Sequence, residues 1–291
     1  MLRGVTMSGE IALRPSYWAS VSGGKDSLYM LNLILHNLDR YPLDGVVHFE
    51  LEIDYPFIHD VIDYMESECK KFGIRFVRIK PRKTWEELYY SRYKTGRMWG
   101  FPQGKVRWCN SAYKMDAKRQ LSEWMDSVGC YVVSYIGYCA DEEHRFNKRL
   151  TAQKVERYPL AENGITEDVI WEWAKTQPIF NHYYEVNRRC GCMYCPLAPR
   201  LSRAYLYKYY PDNFQYMIEK MRETEQLREQ ELGRPFSVIS SNPKYNADYL
   251  ENIIKTKWLK KLEEKEREWV DASKQWREEQ TNKQTNKQTK E

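Results

Sequence analysis

Eight residues near the N-terminus, Ser20-Val21-Ser22-Gly23-Gly24-Lys25-Asp26-Ser27, gather what is needed to hold a phosphate. Glycines let the backbone come close to an anion, and the N–H groups at a helix start add partial positive charge. The Ser22 and Ser27 hydroxyls can donate hydrogen bonds, and Lys25 supplies a cation. Asp26 suits a carboxylate that helps hold Mg2+ or orients the loop. The spacing G-x-x-x-x-G-K-[ST] of a Walker A loop is absent. A second concentration of chemistry is Cys190-Gly-Cys192-Met-Tyr-Cys195, which holds three of the seven cysteines. Cys192 and Cys195 have a spacing that can chelate one metal, with Cys190 as a third thiolate. Thiolates suit an iron–sulfur cluster and zinc alike. The alternative is that the thiols are buried as small apolar groups, the reading given to Cys69, Cys130 and Cys139.

The elements that must position these residues alternate. Tyr17–Val21 reads as a strand entering the Ser-Gly-Gly turn, and Ser27–Leu38 carries the apolar spacing of a helix. Gly45–Ile53 follows as a strand, Phe57–Phe72 as a helix closed by Gly73, and Ile74–Ile79 as a strand. Thr84–Tyr93 is helical, 96–105 is a loop, and Ser111–Val128 is a helix ending at Gly129. Tyr131–Ile136 is a strand ending at Gly137. Thr166 is the expected N-cap of a helix reaching about Lys175. This alternation predicts an α/β fold with a parallel sheet, in which ligands sit outside the carboxyl ends of the strands. The Ser22–Ser27 loop and the segment after Gly137 both follow strands, so they are expected to face one site. Beyond Arg200 the pattern is helical to about 270, and 271–291 is a polar repeat expected to stay unfolded.

Composition sets outer bounds. The 291 residues carry a net charge of +5, too mild for the dense basic patch of a dedicated DNA-binding domain. The 23 Tyr and 10 Trp read mainly as core, and the Tyr205–Tyr210 run as helix packing before base stacking. No apolar run approaches the roughly 20 residues that span a bilayer, and no secretory pattern opens the chain, so a cytoplasmic protein without a membrane partner is expected. His144 and His182 read as ordinary loop histidines.

The Ser22–Ser27 loop resembles the SGGxDS signature of the PP-loop family. Further segments are similar to its phosphoadenosine phosphosulfate (PAPS) reductase branch. They are Arg107-Trp108-Cys109 with Lys114, Gly137 through Arg145, Tyr158-Pro159-Leu160 with Thr166-Glu167-Asp168-Val169, and Arg189-Cys190-Gly191-Cys192 with Cys195-Pro196. They keep the family's order across 12–200.

The resemblance implies an adenine-nucleotide alpha hydrolase-like (Rossmann-like) domain over 12–200, followed by a helical extension over 201–270. It implies an enzyme that breaks ATP between the α and β phosphates to adenylate a substrate or to support sulfur insertion. Lys25, Asp26 and Arg145 are then expected at the chemistry. Ser20, Ser22, Gly23, Gly24, Lys25, Asp26, Ser27, Glu50, Arg107 and Gly137 are expected at the nucleotide, with Mg2+. Arg107, Lys114 and Arg145 form a candidate phosphate or sulfate clamp, and Asp141 and Glu142 are candidate Mg2+ holders. Cys109, Cys190, Cys192 and Cys195 are expected to hold a [4Fe-4S] cluster, with zinc as the alternative. A sulfur donor or reductant protein is an expected partner, and a nucleic acid a possible substrate. The sequence departs from the branch at Cys139, where it has Arg, and at Asn110, where iron–sulfur members have a second Cys. No cysteine follows Cys195, so the thiol that attacks the sulfonyl group in reductases of this branch is missing. This favours ATP over a sulfonucleotide as ligand. A sulfonucleotide reductase and a non-catalytic nucleotide sensor are the competing readings.

Overall fold

The computed structural model describes residues 13–146 and 155–271. Two compact units divide the chain: residues to Gly96 with Arg107–Phe180, and Arg97–Val106 with everything from Asn181.

The first unit is built on five parallel strands: β1 (Arg14–Val21), β2 (Gly45–Phe49), β3 (Phe76–Ile79), β4 (Cys130–Tyr135) and β5 (Val155–Arg157). Their order is β3-β2-β1-β4-β5, and every pairing is parallel. The chain runs outward from β1 to β3, then returns to the other side of β1. The junction of β1 and β4 is therefore the topological switch point, where the loops at the strand ends diverge and leave a crevice. The expected α/β fold, a parallel sheet flanked by helices with a helical C-terminal region, is what the chain forms. β5 was not anticipated, because three residues are too few to show an alternating pattern.

Helices α1 (Lys25–Leu35) and α2 (Pro56–Lys71) follow β1 and β2, and α3 (Trp85–Tyr89) follows β3. Thr84 caps α3 with a reciprocal capping box to Glu87, and the helix stops at Tyr89, short of the expected Tyr93. β2 likewise ends at Phe49 rather than Ile53, because Asp54 turns the chain by accepting the Leu51 N–H. The expected helix over Ser111–Val128 starts earlier and in two parts, a π-helical stretch Cys109–Lys114 and then α4 (Met115–Ser127). The wide turn buries both Cys109 and Tyr113. It also brings the Tyr113 hydroxyl within 3.1 Å of the Glu52 N–H.

Leu121 and Met125 of α4 pack against Trp18 and Val47 on one face of the sheet. The Trp18 indole lies over Gly45, where a Cβ would come within 2.6 Å of the ring. Alternation along the strands sends Ala19 and Val46 to the opposite face, where α1 and α2 bury Leu31, Ile34, Val61, Ile62 and Met65. Each such side chain contributes about 1.5–3 kcal/mol when fully buried. Two short helices, α5 (Pro159–Glu162) and α6 (Glu167–Ala174), complete this unit.

The second unit is helical: α7 (Tyr183–Val186), α8 (Arg200–Tyr209), α9 (Pro211–Leu232), α10 (Ala247–Ile253) and a π-helical stretch Ile254–Trp258 that continues as helix over 259–271. It begins ahead of the expected boundary at 200, because the cysteine loop is tied to α8 by buried polar side chains. It also takes in Arg97–Val106, which α9 holds. The Phe101 N–H donates to Thr224 Oγ1 at 2.8 Å, and the Arg228 guanidinium reaches the carbonyls of Met98 and Trp99. Glu225 of α9 accepts the Val238 and Ala247 N–H groups, each at 3.0 Å. Apart from Asp271, the polar tail expected to be unfolded lies outside the described residues. Among the described residues, no helix is long and apolar enough to cross a membrane.

Candidate nucleotide site and thiol loop

β1 ends at Val21, and the turn into α1 depends on glycine. Gly23 has φ +72°, and a Cβ there would lie 2.8 Å from Ile58 Cγ2. The loop then ties itself together. Ser22 N–H donates to Ser27 Oγ (3.2 Å), Ser27 Oγ donates to the Gly24 carbonyl (2.9 Å), and Gly24 N–H approaches Ser22 Oγ (3.4 Å). Both hydroxyls, expected to serve a ligand, are thus used to hold the loop's shape. What the loop offers an anion is its main chain and the first turn of α1, whose N–H groups have no partner within the helix.

Gly137, at the end of β4, closes the crevice. A Cβ on it would stand 3.1 Å from the Asp26 carbonyl oxygen and 3.3 Å from the Ser27 nitrogen. The two strand ends come together here, and a larger side chain at 137 would require the backbone to give by a few tenths of an ångström. Lys25 is 3% exposed, with Nζ 2.7 Å from Asp26 Oδ1 and 3.3 Å from Glu167 Oε1. Burial raises the Asp26 carboxyl above its ordinary range against the pull of Lys25, and the Glu167 and Glu142 charges push the same way. Two carboxylates thus meet one ammonium, with the charge of a third, Glu142, acting on Asp26.

Glu142 is buried; it accepts the Cys139 N–H at 3.3 Å and Arg145 Nη1 at 2.7 Å. The Arg145 guanidinium also lies 4.4 Å from the centre of the Tyr138 ring. Thr166 stands at the N-cap of α6 but makes no side-chain cap there; Asp141 accepts the Glu167 N–H instead, at 3.3 Å. Burial, then Asp26 and Glu142, pushes the Cys139 thiol up to about 12, consistent with an inert buried thiol.

Of the expected site residues, the structure gathers Ser22, Gly23, Gly24, Lys25, Asp26, Ser27 and Gly137, and brings Arg145 in through Glu142. Ser20 is engaged elsewhere: it points to the α4 side of the sheet and lines a cavity of about 80 Å³ with Lys118 and Ser134. Glu50 pairs with Lys80 at 3.1 Å, and the Arg107 side chain is exposed. Lys114 acts on Asp54, whose carboxyl burial nevertheless raises to about 6.

Two residues went unanticipated as site groups. Glu167 had a signal, since it stands in the Thr166-Glu167-Asp168 segment. His48 had none, being one polar residue in an apolar strand. Its Nδ1 donates to the Val21 carbonyl at 3.0 Å, its Nε2 is buried without a hydrogen-bond partner, and burial lowers its pKa.

In the second unit, Cys192 is buried, while Cys190 and Cys195 are half-buried. Cys195 N–H donates to the Cys192 carbonyl at 3.2 Å, closing the turn. All three thiols act on Tyr183, whose hydroxyl is raised first by burial and then by their charge, against its bond to Ser202. Tyr183 OH and Ser202 Oγ lie 2.7 Å apart, and Ser202 Oγ donates to Asn187 Oδ1 at 3.3 Å. Asn187 Nδ2 is buried without a hydrogen-bond partner. Cys109, the fourth expected ligand, is buried in the first unit. The thiols suit a thiolate-ligated metal by their chemistry. Among the described residues, though, no three Cys, His, Asp or Glu side chains form a group that could hold an ion.

His182 proves more than a loop histidine. Its Nδ1 pairs with Glu185, and its Nε2 lies 2.8 Å from Tyr209 OH, which donates to Glu266 at 2.7 Å. The Tyr205–Tyr210 run is packing as expected, with Tyr205 buried against Tyr183 and Tyr209.

No protein-family model matches this chain, and no curated protein sequence matches it. Among solved structures, it is similar to the U34-tRNA thiolase NcsA from Methanococcus maripaludis with its [4Fe-4S] cluster. The identity is 16%, the alignment covers 77% of this chain and 76% of that one, and the TM-score is 0.39.

Proposed function

We propose that this chain is a PP-loop nucleotide enzyme that binds ATP at the β1–α1 loop and breaks it between the α and β phosphates. In doing so it adenylates an acceptor or supports sulfur insertion into one. The observation that carries this reading is the approach of Gly137 to the Asp26 carbonyl. It joins the ends of β1 and β4 beside a helix N-terminus that carries Lys25 and Asp26, with Glu167 of α6 pairing with Lys25. The main chain of 22–27 and the start of α1 would cradle the phosphates, and Lys25 would offset their charge. Asp26, with Glu142 and Glu167, would hold Mg2+. Arg145 pairs with Glu142 and would join the chemistry from there, with Glu50 and Arg107 at the margin of the nucleotide. An acceptor oxygen forms a bond to the α-phosphorus, and pyrophosphate leaves with the electron pair of the broken P–O bond. Preorganised charge is what such a step requires.

Cys190, Cys192 and Cys195 are the thiols that would serve a [4Fe-4S] cluster. Bound there, it would supply an iron centre for electron transfer or sulfur chemistry. The acceptor class includes nucleic acid, the sulfur would come from a donor protein, and the compartment is the cytoplasm.

The test is product analysis with the purified full chain, ATP and Mg2+. Pyrophosphate with AMP or an adenylated acceptor is expected, while ADP with phosphate would overturn the reading. Sulfite release from a sulfonucleotide would assign the reductase reaction instead. Anaerobic preparation is expected to give iron and absorbance near 400 nm. Zinc in place of iron would reassign the thiol loop without touching the phosphate site.

A further inference from the structure

We propose that His48 is a positioning residue for the Ser22–Ser27 loop, setting through the Val21 carbonyl the direction in which the chain leaves β1. The proposal deepens the reading of that loop as a phosphate cradle, and its effect on ATP rests on that reading. Val21 and His48 are the last register pair of β1 and β2, and His48 is 2% exposed. Its Nδ1 lies 3.0 Å from the Val21 carbonyl oxygen. A carbonyl only accepts, so Nδ1 carries the hydrogen. The Val21 carbonyl and the Ser22 N–H belong to one planar peptide unit, so a hold on the first orients the second. Ser22 N–H donates to Ser27 Oγ, which donates to the Gly24 carbonyl. One imidazole thus stands at the head of a chain of hydrogen bonds, each polarising the next, that closes the turn.

The other nitrogen argues against packing as the purpose of the ring. With the hydrogen on Nδ1, Nε2 of the neutral ring is an acceptor, and it is buried without a hydrogen-bond partner. Burial, the largest influence, holds the ring's pKa below its ordinary value, against the pull of the Val21 bond and the Glu50 charge; Arg78 and His59 push it further down. An aliphatic side chain in the same place would leave no buried acceptor bare. What the imidazole adds is its Nδ1–H. The loop is then seated from both sides. Gly137, after β4, stands against the Asp26 carbonyl, while on the β2 side Ile58 of α2 closes on Gly23 and His48 holds the peptide that precedes Ser22.

The experiment compares the full chain with His48→Leu, which fills the space without a donor, and His48→Asn, whose amide nitrogen can stand where Nδ1 stood. Heteronuclear NMR of the imidazole nitrogens in the parent reads the tautomer and needs no variant. A hydrogen on Nδ1 with a bare Nε2 is expected at neutral pH, and the reverse tautomer would overturn the proposal. Amide hydrogen exchange over 20–28 is followed by mass spectrometry, with β4 as the reference for global opening. Relative to that reference, exchange over 20–28 should rise about 5–10-fold in His48→Leu, and His48→Asn should restore most of the protection. Unchanged exchange in folded His48→Leu, or equal rises in both variants, would overturn the role. If His48→Leu fails to fold by circular dichroism, His48→Met takes its place. With ATP, the KM for pyrophosphate release should rise about 10-fold in His48→Leu, more than kcat falls, and return toward the parent's in His48→Asn. A parent without pyrophosphate release would overturn the proposed function, and exchange alone would then decide the positioning role. Release with an unchanged KM in His48→Leu would overturn the bearing of His48 on the nucleotide.

Discussion

The Ser22–Ser27 loop and the thiol loop are built by opposite means. Around Ser22–Ser27 the shape comes from the main chain: a left-handed glycine, a second glycine pressed against a carbonyl, and serines spent on internal bonds. Around Cys190–Cys195 it comes from buried side chains, with Ser202, Arg203, Tyr183 and Asn187 reaching in from helices. A backbone-built site is rigid and ready for a ligand whose charge is spread over many oxygens. A loop held by side chains leaves its thiols adjustable. The lesson is that the first site should fail when any atom is added, and the second when a polar group is removed.

The strongest test of the first half is Lys25→Met. It removes the cation paired with Asp26 and Glu167 and should lower pyrophosphate release by about 10²–10³-fold, measured at saturating ATP. A rate within a few-fold of the parent's would break the claim that this cradle serves phosphate. Next is Gly137→Val. The new side chain meets backbone at 3.1 Å, and misplacing the loop by about 1 Å should cost about 10²-fold in turnover. Retained activity would mean the approach of β4 is incidental.

Ser202→Ala sharpens the other half. It removes the Ser202 bonds to the Tyr183 hydroxyl and to Asn187 Oδ1, so stability should fall by about 1–3 kcal/mol in urea unfolding. Pyrophosphate release should stay near the parent's. Loss of both together would show that the two regions are not independent in their construction.

A smaller effect separates packing from charge. The Asp54 carboxyl is raised to about 6 by burial, so its folded pKa exceeds its unfolded one. The stability it contributes is present below pH 4 and lost as pH rises through 6. Asp54→Asn should therefore match the parent in acid and exceed it by about 1–2 kcal/mol at pH 7–8, read from unfolding curves across pH 4–8. Smallest is Glu50→Gln, which removes one partner of an exposed lysine and should change stability by less than about 0.5 kcal/mol.

Much of this was legible in the sequence where backbone chemistry leaves a mark. Gly-Gly after an apolar strand announces a turn into a helix, and Gly137 after another announces a close approach. The alternation of strands and helices implied the parallel sheet. Silent in the sequence were features made by distant side chains. Gly45 reads as a strand start, yet its missing side chain is what seats Trp18. His48 is one polar letter in Gly-Val-Val-His-Phe, and only the register with Val21 reveals its bond. The serines of the loop were read as ligand donors because composition cannot say which way a hydroxyl points.

The strand order has a consequence for how the chain is made. β1 sits at the centre of the sheet, yet β4, its partner on one flank, is synthesised long after it. At ribosomal speeds of about 5–20 residues per second, that wait is on the order of ten seconds. During it, one edge of β1 lacks its native neighbour, and the crevice has only one wall. Pairings this remote in sequence also fold slowly, in about milliseconds to seconds once the chain is free. The crevice beside the Ser22–Ser27 loop is thus among the last parts of the first unit to form, and under the proposed function ATP present during refolding should raise the yield of native chain.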